Sequence, residues 1–222
     1  MITSDRDVYL GAHTTAGVKQ QLLDEALRQG RSVSQLTHLA IQAYLTTPCL
    51  RTFTGKWVNP LALEPDDICI EDIAHALALT NRFGGHSKFP LNVAQHSVGV
   101  SLLCPGCPLS ALLHDASEAY LGDIPRPLKH SEAFSAYRVI EARVQRAVML
   151  RFSLSEDADL APQIREADNV MLRLEARTFD PPYKIGERLR PEEVEGLGEW
   201  VFRDWVHSEI LFLNRFKELT GA

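Results

Sequence analysis

The sequence lacks any broad excess of positive charge. Its 23 lysines and arginines are outnumbered by 29 aspartates and glutamates, for a net charge of -6, so no general basic footprint is present to hold nucleic acid along the surface. A phosphate-bearing ligand would have to be gripped by local cations or by metal. Long apolar runs are missing too. No stretch approaches the roughly 18 uninterrupted apolar residues of a membrane-spanning helix, and the opening MITSDRDVYLGAHTTAG has no basic start followed by an apolar stretch. The expectation is a soluble cytoplasmic protein with no membrane partner. Cysteine is scarce, at positions 49, 69, 104 and 107, which is too few and too scattered for a disulfide framework. Reduced thiols are expected. Cys104 and Cys107 form CPGC, at the spacing of half a zinc site, but no second pair stands at a compatible distance, so a Pro-Gly turn between helices is the favoured reading.

What the chain does contain is helical periodicity. In VKQQLLDEALRQ, residues Val18, Leu22, Leu23, Ala26 and Leu27 share one face and Gly30 is placed to end the helix. Ser32 or Ser34 can cap a second helix, QLTHLAIQAYL, that stops before Pro48. This hairpin, residues 1–48, reads as an appendage. Its pattern resembles the two helices of ribbon-helix-helix DNA-binding arms, but the segment before it is neither basic nor alternating enough for a groove reader. Between 51 and 59 alternation around Gly55 predicts a short β-hairpin. Thereafter helical spacing predicts helices over 71–81, 93–103, 109–121, 132–152, 161–179 and 198–219. The body, residues 49–222, is therefore expected to be all-α. Spare apolar faces on the hairpin, with the aromatics Trp200, Phe202 and Trp205 near the end, suggest a homo-oligomer.

Within that body, ALLHDASEAYLGDIPRPLKH sets His114, Asp115, Glu118 and Asp123 in an apolar helical run. Such groups are costly to bury unless something pairs with them. Imidazole and carboxylate together suit a divalent ion of intermediate hardness, and His114 and Asp115 are a start on such a site. His96, in the otherwise apolar NVAQHSVGVS, and Asp168, an acid in the helix IREADNVMLRLEAR, are available as third and fourth ligands. Spacing along the chain does not by itself bring the four together.

The order H…HD…D resembles the HD-domain metal phosphohydrolases, whose fold is an all-α bundle. The likeness extends past that signature. LLHDASEAYLGDIPRPLK is similar to the metal-side segment of bacterial deoxyribonucleoside 5'-monophosphatases in that superfamily and of phage deoxynucleotide hydrolases such as dATP triphosphohydrolases, and NRF at 81–83, VAQHS at 93–97 and EADN at 166–169 fall where that branch has corresponding motifs. The likeness runs from about residue 70 to 180. It implies a divalent metal (Mn, Co, Zn, Fe or Mg) on His96, His114, Asp115 and Asp168.

The resemblance also implies roles around the metal. Glu118 would orient or deprotonate the attacking water. Asp123, in a turn stiffened by Pro125 and Pro127, would bind the sugar hydroxyl or handle the leaving oxygen. Arg82 offers a planar fork to phosphate and Phe83, where the branch often has tryptophan, an apolar face to sugar or base. His86 and Lys88 are further contacts to substrate. A small-molecule deoxynucleotide is thus the expected substrate, cleaved at its 5' phosphate: a dNTP, dATP best, or else a dNMP. A reading of another class is a regulatory nucleotide- or DNA-binding protein on the same scaffold, using the hairpin as its reader.

Overall fold

The structure, a computed structural model, describes residues 15–46, 49–154, 160–179 and 203–221. The first residues, Trp200 and Phe202 lie outside these. Backbone contacts divide the chain into two units, Met1–Thr47 and Pro48–Ala222.

In the first unit, α1 (Ala16–Gln29) opens where the Thr15 hydroxyl accepts from the Val18 amide and closes on Gly30, which takes the left-handed conformation at φ 62°. Ser32 caps α2 (Val33–Thr46), its hydroxyl accepting from the Gln35 amide at 3.1 Å. The shared apolar face of α1 is mostly uncovered. Ala26 is buried, but Leu27 is 81% exposed and Val18 and Leu23 are exposed as well. A single neighbouring helix covers a narrow line of contact, and the wider apolar stripe extends past it.

The second unit begins with an antiparallel hairpin, β1 (Leu50–Arg51) and β2 (Trp57–Val58), with Leu50 opposite Val58. Gly55 turns it at φ 91°. The amide and hydroxyl of Thr54 both donate to the buried Asp72 carboxylate, at 2.6 and 2.9 Å, which fastens the hairpin to α3 (Ile70–Leu79). The rest is all-α, as its periodicity predicts: α4 (Val93–Leu103), α5 (Pro108–Leu112), α6 (Glu118–Leu121), α7 (Arg126–Lys129), α8 (Ser135–Arg151), α9 (Leu160–Glu175) and α10 (Trp205–Thr220). Ile73, Leu77, Val93, Leu112, Val148 and Phe212 are fully buried in one cluster drawn from α3, α4, α5, α8 and α10.

Helix α4 is the centre of this unit. Every residue from Val93 to Ser101 is buried, so it is enclosed on all sides and its polar members need internal partners. Asn92 caps it, accepting from the Gln95 amide and donating to the Ser208 hydroxyl of α10. Among the described residues no helix is long and apolar enough to cross a membrane.

Three helical expectations are corrected. The single helix over 109–121 is two pieces, α5 and α6, separated by turns at 113–117. The helix at 132–152 begins at Ser135 after a short 3₁₀ turn, Glu132–Phe134, and the helix at 161–179 ends at Glu175 before a second 3₁₀ turn, Ala176–Thr178. Helix α7 lies in the segment read as a turn, because Pro127 occupies a first-turn position where a missing amide costs nothing.

Candidate metal centre

The break between α5 and α6 presents the His-Asp pair. From Leu113 to Ser117 the chain makes three-residue hydrogen bonds, Ala116 to Leu113 and Glu118 to Asp115, instead of the four-residue bonds of an α-helix. His114 and Glu118 are consequently not stacked one turn apart on a continuous helix. The pair projects from a tight turn towards α4, where His96 lies.

One nitrogen of each imidazole is already committed. His114 Nδ1 donates to the Ala111 carbonyl at 2.8 Å, and His96 Nδ1 donates to Glu175 Oε1 at 3.0 Å. Since neither acceptor carries a proton, the other nitrogen, Nε2, is the one left to offer a lone pair. Both Nε2 atoms are buried and without a hydrogen-bond partner. His96 Nε2 does lie 3.3 Å from Asp168 Oδ1 and 3.7 Å from Asp115 Oδ2, close enough for attraction between charges but misaligned for a hydrogen bond. His96, His114 and Asp115 offer ligand atoms that all lie within 4.8 Å of one another and could hold a metal ion. Two orphaned nitrogens facing a carboxylate fit a divalent cation, which would satisfy both at once.

Asp168 closes on this group from α9 through its contact with His96, while its Oδ2 accepts from Arg126 at 3.1 Å. The arrangement brings all four expected ligands to one place, three of them as a compact cluster and the fourth against His96. Electrostatics agree with a site for a cation. Burial works against the charge on Asp115, but His114, His96 and Arg82 outweigh it and hold its carboxyl well below the usual range. Asp168 is likewise held at about 2, burial being overcome by the His96 contact. His96 is raised to about 9: burial and Arg82 oppose its proton, and Glu175 and Asp168 hold it.

Glu175 was not among the residues singled out from sequence, yet it organises the back of the site. Its carboxylate, 3% exposed, accepts from His96 through one oxygen and from Arg82 Nε through the other, at 2.9 Å. It lies seven residues after Asp168 on α9, two turns along the same face, which is the signal that could have found it. Replacing it with glutamine leaves an oxygen for His96 but turns an amide donor towards a guanidinium donor. We expect Glu175→Gln to weaken divalent-metal affinity by about 10–100-fold, the usual cost of losing the group that holds a metal-binding histidine. Calorimetric titration of the metal-free protein with Mn²⁺ checks it.

Arg82 and Phe83 come from a loop closed by a bridge between Asn81 and Asn92, with Arg82 N bonded to Leu91 O at 2.7 Å. Phe83 takes the left-handed region at φ 56°, which costs a non-glycine residue roughly 1–2 kcal/mol. Its ring lies 5.6 Å under the Arg82 guanidinium and 5.2 Å from Phe179. Arg82 itself is buried, its NH1 3.6 Å from Asp115 Oδ2; burial opposes its charge, but Glu175 and three aspartates keep it firmly protonated. His86 and Lys88, in the same loop, are exposed.

Glu118 is buried with Oε2 lacking a hydrogen-bond partner. Burial first, then the charges of Asp115 and Asp123, push its carboxyl up to about 10. Its other oxygen lies 3.8 Å from Lys129, which also pairs with Glu141 of α8. Asp123, half-buried beyond Gly122, is raised as well, by burial foremost. Lys129, not Lys88, is thus the lysine the fold brings to Glu118, and Arg126 is a second cation absent from the expectations. A separate cavity of about 310 Å³, lined by Arg51, Phe53, Asp72, His75 and Tyr120 among others, contains none of the candidate ligands.

No family model matches the chain. It is similar to YfdR, an uncharacterized protein of Escherichia coli strain K12, at 36% identity over 129 residues, 58% of this chain and 70% of YfdR. An uncharacterized protein of Rhodobacter capsulatus is 39% identical over 138 residues, 57% of this chain and 70% of that protein.

Proposed function

We propose that this chain, which belongs to the same family as YfdR, is a metal-dependent phosphohydrolase of the HD-domain type that cleaves deoxynucleotides at the 5' phosphate. The observation that carries the reading is the pair of buried, unpartnered Nε2 atoms of His96 and His114 beside Asp115. His96, His114, Asp115 and Asp168 would hold a divalent ion, which supplies Lewis acidity towards a phosphoryl oxygen and acidifies water. Mn, Co, Zn and Fe(II) suit this donor set better than Mg.

The chain's own groups supply the remainder. Glu118 Oε2 is unpartnered; its carboxyl holds a proton in the metal-free protein, and its ionised form, favoured by a cation bound beside Asp115, would take the proton of the attacking water. Lys129 steadies the other Glu118 oxygen. Arg82, held by Glu175, presents charge beside Asp115 for a phosphate oxygen. Asp123, whose carboxyl is raised above its ordinary value by burial foremost, is placed to hand a proton to the leaving 5' oxygen or to pair with the sugar hydroxyl. Phe83 offers its ring to sugar or base. His86 and Lys88, exposed on the same loop, are the groups that would meet the outer phosphates of a longer substrate.

The first substrate class is a dNTP, with dATP foremost, releasing deoxynucleoside and triphosphate. One observation favours the shorter dNMP: Arg82 is buried and tied to Glu175, so it cannot follow a phosphate tail outwards. Mn²⁺-loaded protein incubated separately with dATP and dAMP, with products read by phosphorus NMR, decides. Triphosphate from dATP supports the first class and orthophosphate from dAMP the second. Release of neither, with Mn²⁺, Co²⁺ or Zn²⁺, overturns the reading in favour of a binding protein on this scaffold.

A further inference from the structure

The CPGC segment is more than a turn. Cys104 ends α4 and Cys107 precedes α5, and the Cys107 amide bonds to the Cys104 carbonyl at 3.2 Å, closing a β-turn over Pro105 and Gly106. That turn brings the two sulfurs to 3.0 Å. A Cβ on Gly106 would lie 2.6 Å from Gln163 Oε1 on α9, so the tip of that side chain rests against the turn. Cys104 and Cys107 belong to a cluster with Val100, Ala111, Ala167 and Met171. The cluster joins α4, α5 and α9, the helices that carry or lead into His96, His114 and Asp168.

We propose that Cys104 and Cys107 form a redox-responsive pair whose disulfide staples α4 to α5 behind the candidate metal centre. The sulfurs need to close by only about 1 Å to reach bonding distance. Pro105 and Gly106 are exposed, and Cys107 is 7% exposed against 2% for Cys104, so a small disulfide in solution reaches Cys107 first. The Cys107 thiol gives its proton to solvent and attacks one sulfur of oxidised glutathione, expelling glutathione thiolate. Cys104, deprotonated in turn, attacks the Cys107 sulfur of the mixed disulfide and expels the second glutathione. The sum is one protein dithiol plus one oxidised glutathione giving one protein disulfide plus two glutathiones. Burial and the neighbouring sulfur push the Cys107 thiol up to about 12, so the exchange is slow in the folded protein and is best approached from both directions.

The test uses the full chain. One sample is held folded in oxidised glutathione and another is refolded into the same buffer; both are then unfolded, alkylated and mapped by peptide mass. The expected result is loss of two alkylation sites and of two hydrogens on the peptide containing residues 104–107, reversed by dithiothreitol, with a Tm higher by roughly 4–8 °C in the oxidised form. Cys104→Ser is expected to trap glutathione on Cys107, and Cys107→Ser to trap none on Cys104. Two alkylated cysteines at 104 and 107 by both routes, or a disulfide with no gain in Tm, overturns the proposal. No step depends on hydrolase activity, so its failure and that of the proposed function are separable.

Discussion

His114→Ala protein is expected to lose divalent-metal binding while keeping its fold. His114 contributes one of two unpartnered imidazole nitrogens in a three-residue group, and what it loses is a ligand, so the penalty should exceed the roughly 10–100-fold typical of removing a group that only supports one. We expect Mn²⁺ affinity to fall by at least about 100-fold and hydrolysis to fall with it. Thermal unfolding gives an independent reading. Metal at 100 times its Kd stabilises a protein by about 2.7 kcal/mol, a Tm rise of roughly 5–10 °C for a unit of this size. That rise should be present in the unaltered protein and absent from His114→Ala, whose far-ultraviolet circular dichroism should remain helical. A variant that still gains Tm with Mn²⁺ would remove His114 from the site.

The same binding should depend on pH in a direction set by His96. Without metal its folded pKa is about 9, above the ordinary value near 6.5, so its proton stabilises the folded state fully below about 6.5 and that contribution is lost as pH rises through 9. Metal requires the neutral ring. Below about 9, binding therefore displaces a proton from His96, and apparent affinity should rise by up to tenfold per pH unit towards that limit. Flat affinity between pH 6.5 and 8.5 would mean that His96 is not a ligand.

The candidate ligands were legible in sequence in two steps: His96, His114, Asp115 and Asp168 are polar groups set near core residues such as Val93, Leu112 and Met171, and the resemblance to HD-domain enzymes grouped them. Groups of this kind are costly to bury without a partner, which is what marks them out. Glu175 was hidden because an acid near the end of a helix with charged neighbours looks solvated; its burial depends on α4 lying alongside α9, a contact between residues 79 apart in sequence. The break at 113–117 was hidden as well. LSALLHDASEAYL has no glycine or proline after Pro108 to mark it, and burial of Leu112, Leu113 and Ala116 together favours the tighter turn over the continuous helix that local propensity prefers. Periodicity thus located helices well where amphipathic faces met the core, and it failed where tertiary contacts decided the backbone.

Glu118→Gln separates chemistry from binding more cleanly than any ligand change. Its Oε2 is buried without a partner and its carboxyl is raised to about 10, by burial first and by Asp115 and Asp123 next. Between about 4.5, where an unfolded glutamate ionises, and about 10, the folded metal-free protein keeps a proton that the unfolded chain has lost. Stability from this group is therefore present at low pH and declines as pH rises across that window. Glutamine cannot ionise, so the variant lacks this decline, and the metal-free variant should resist urea better than the unaltered protein at pH 8 while matching it more closely at pH 5. The loss of attraction between Glu118 and Lys129 acts the other way, but that pair is 3.8 Å apart and Lys129 keeps Glu141, so the carboxylate's burial dominates. Turnover should move oppositely, falling by about 10²–10⁴-fold as expected when a positioned base is removed, with Mn²⁺ affinity changed by less than about threefold because Glu118 is not among the ligands. A fully active variant would remove Glu118 from the reaction. A variant less stable than the unaltered protein at pH 8 would show instead that its charge is paired in the folded state, and the unpartnered oxygen would no longer count towards the site.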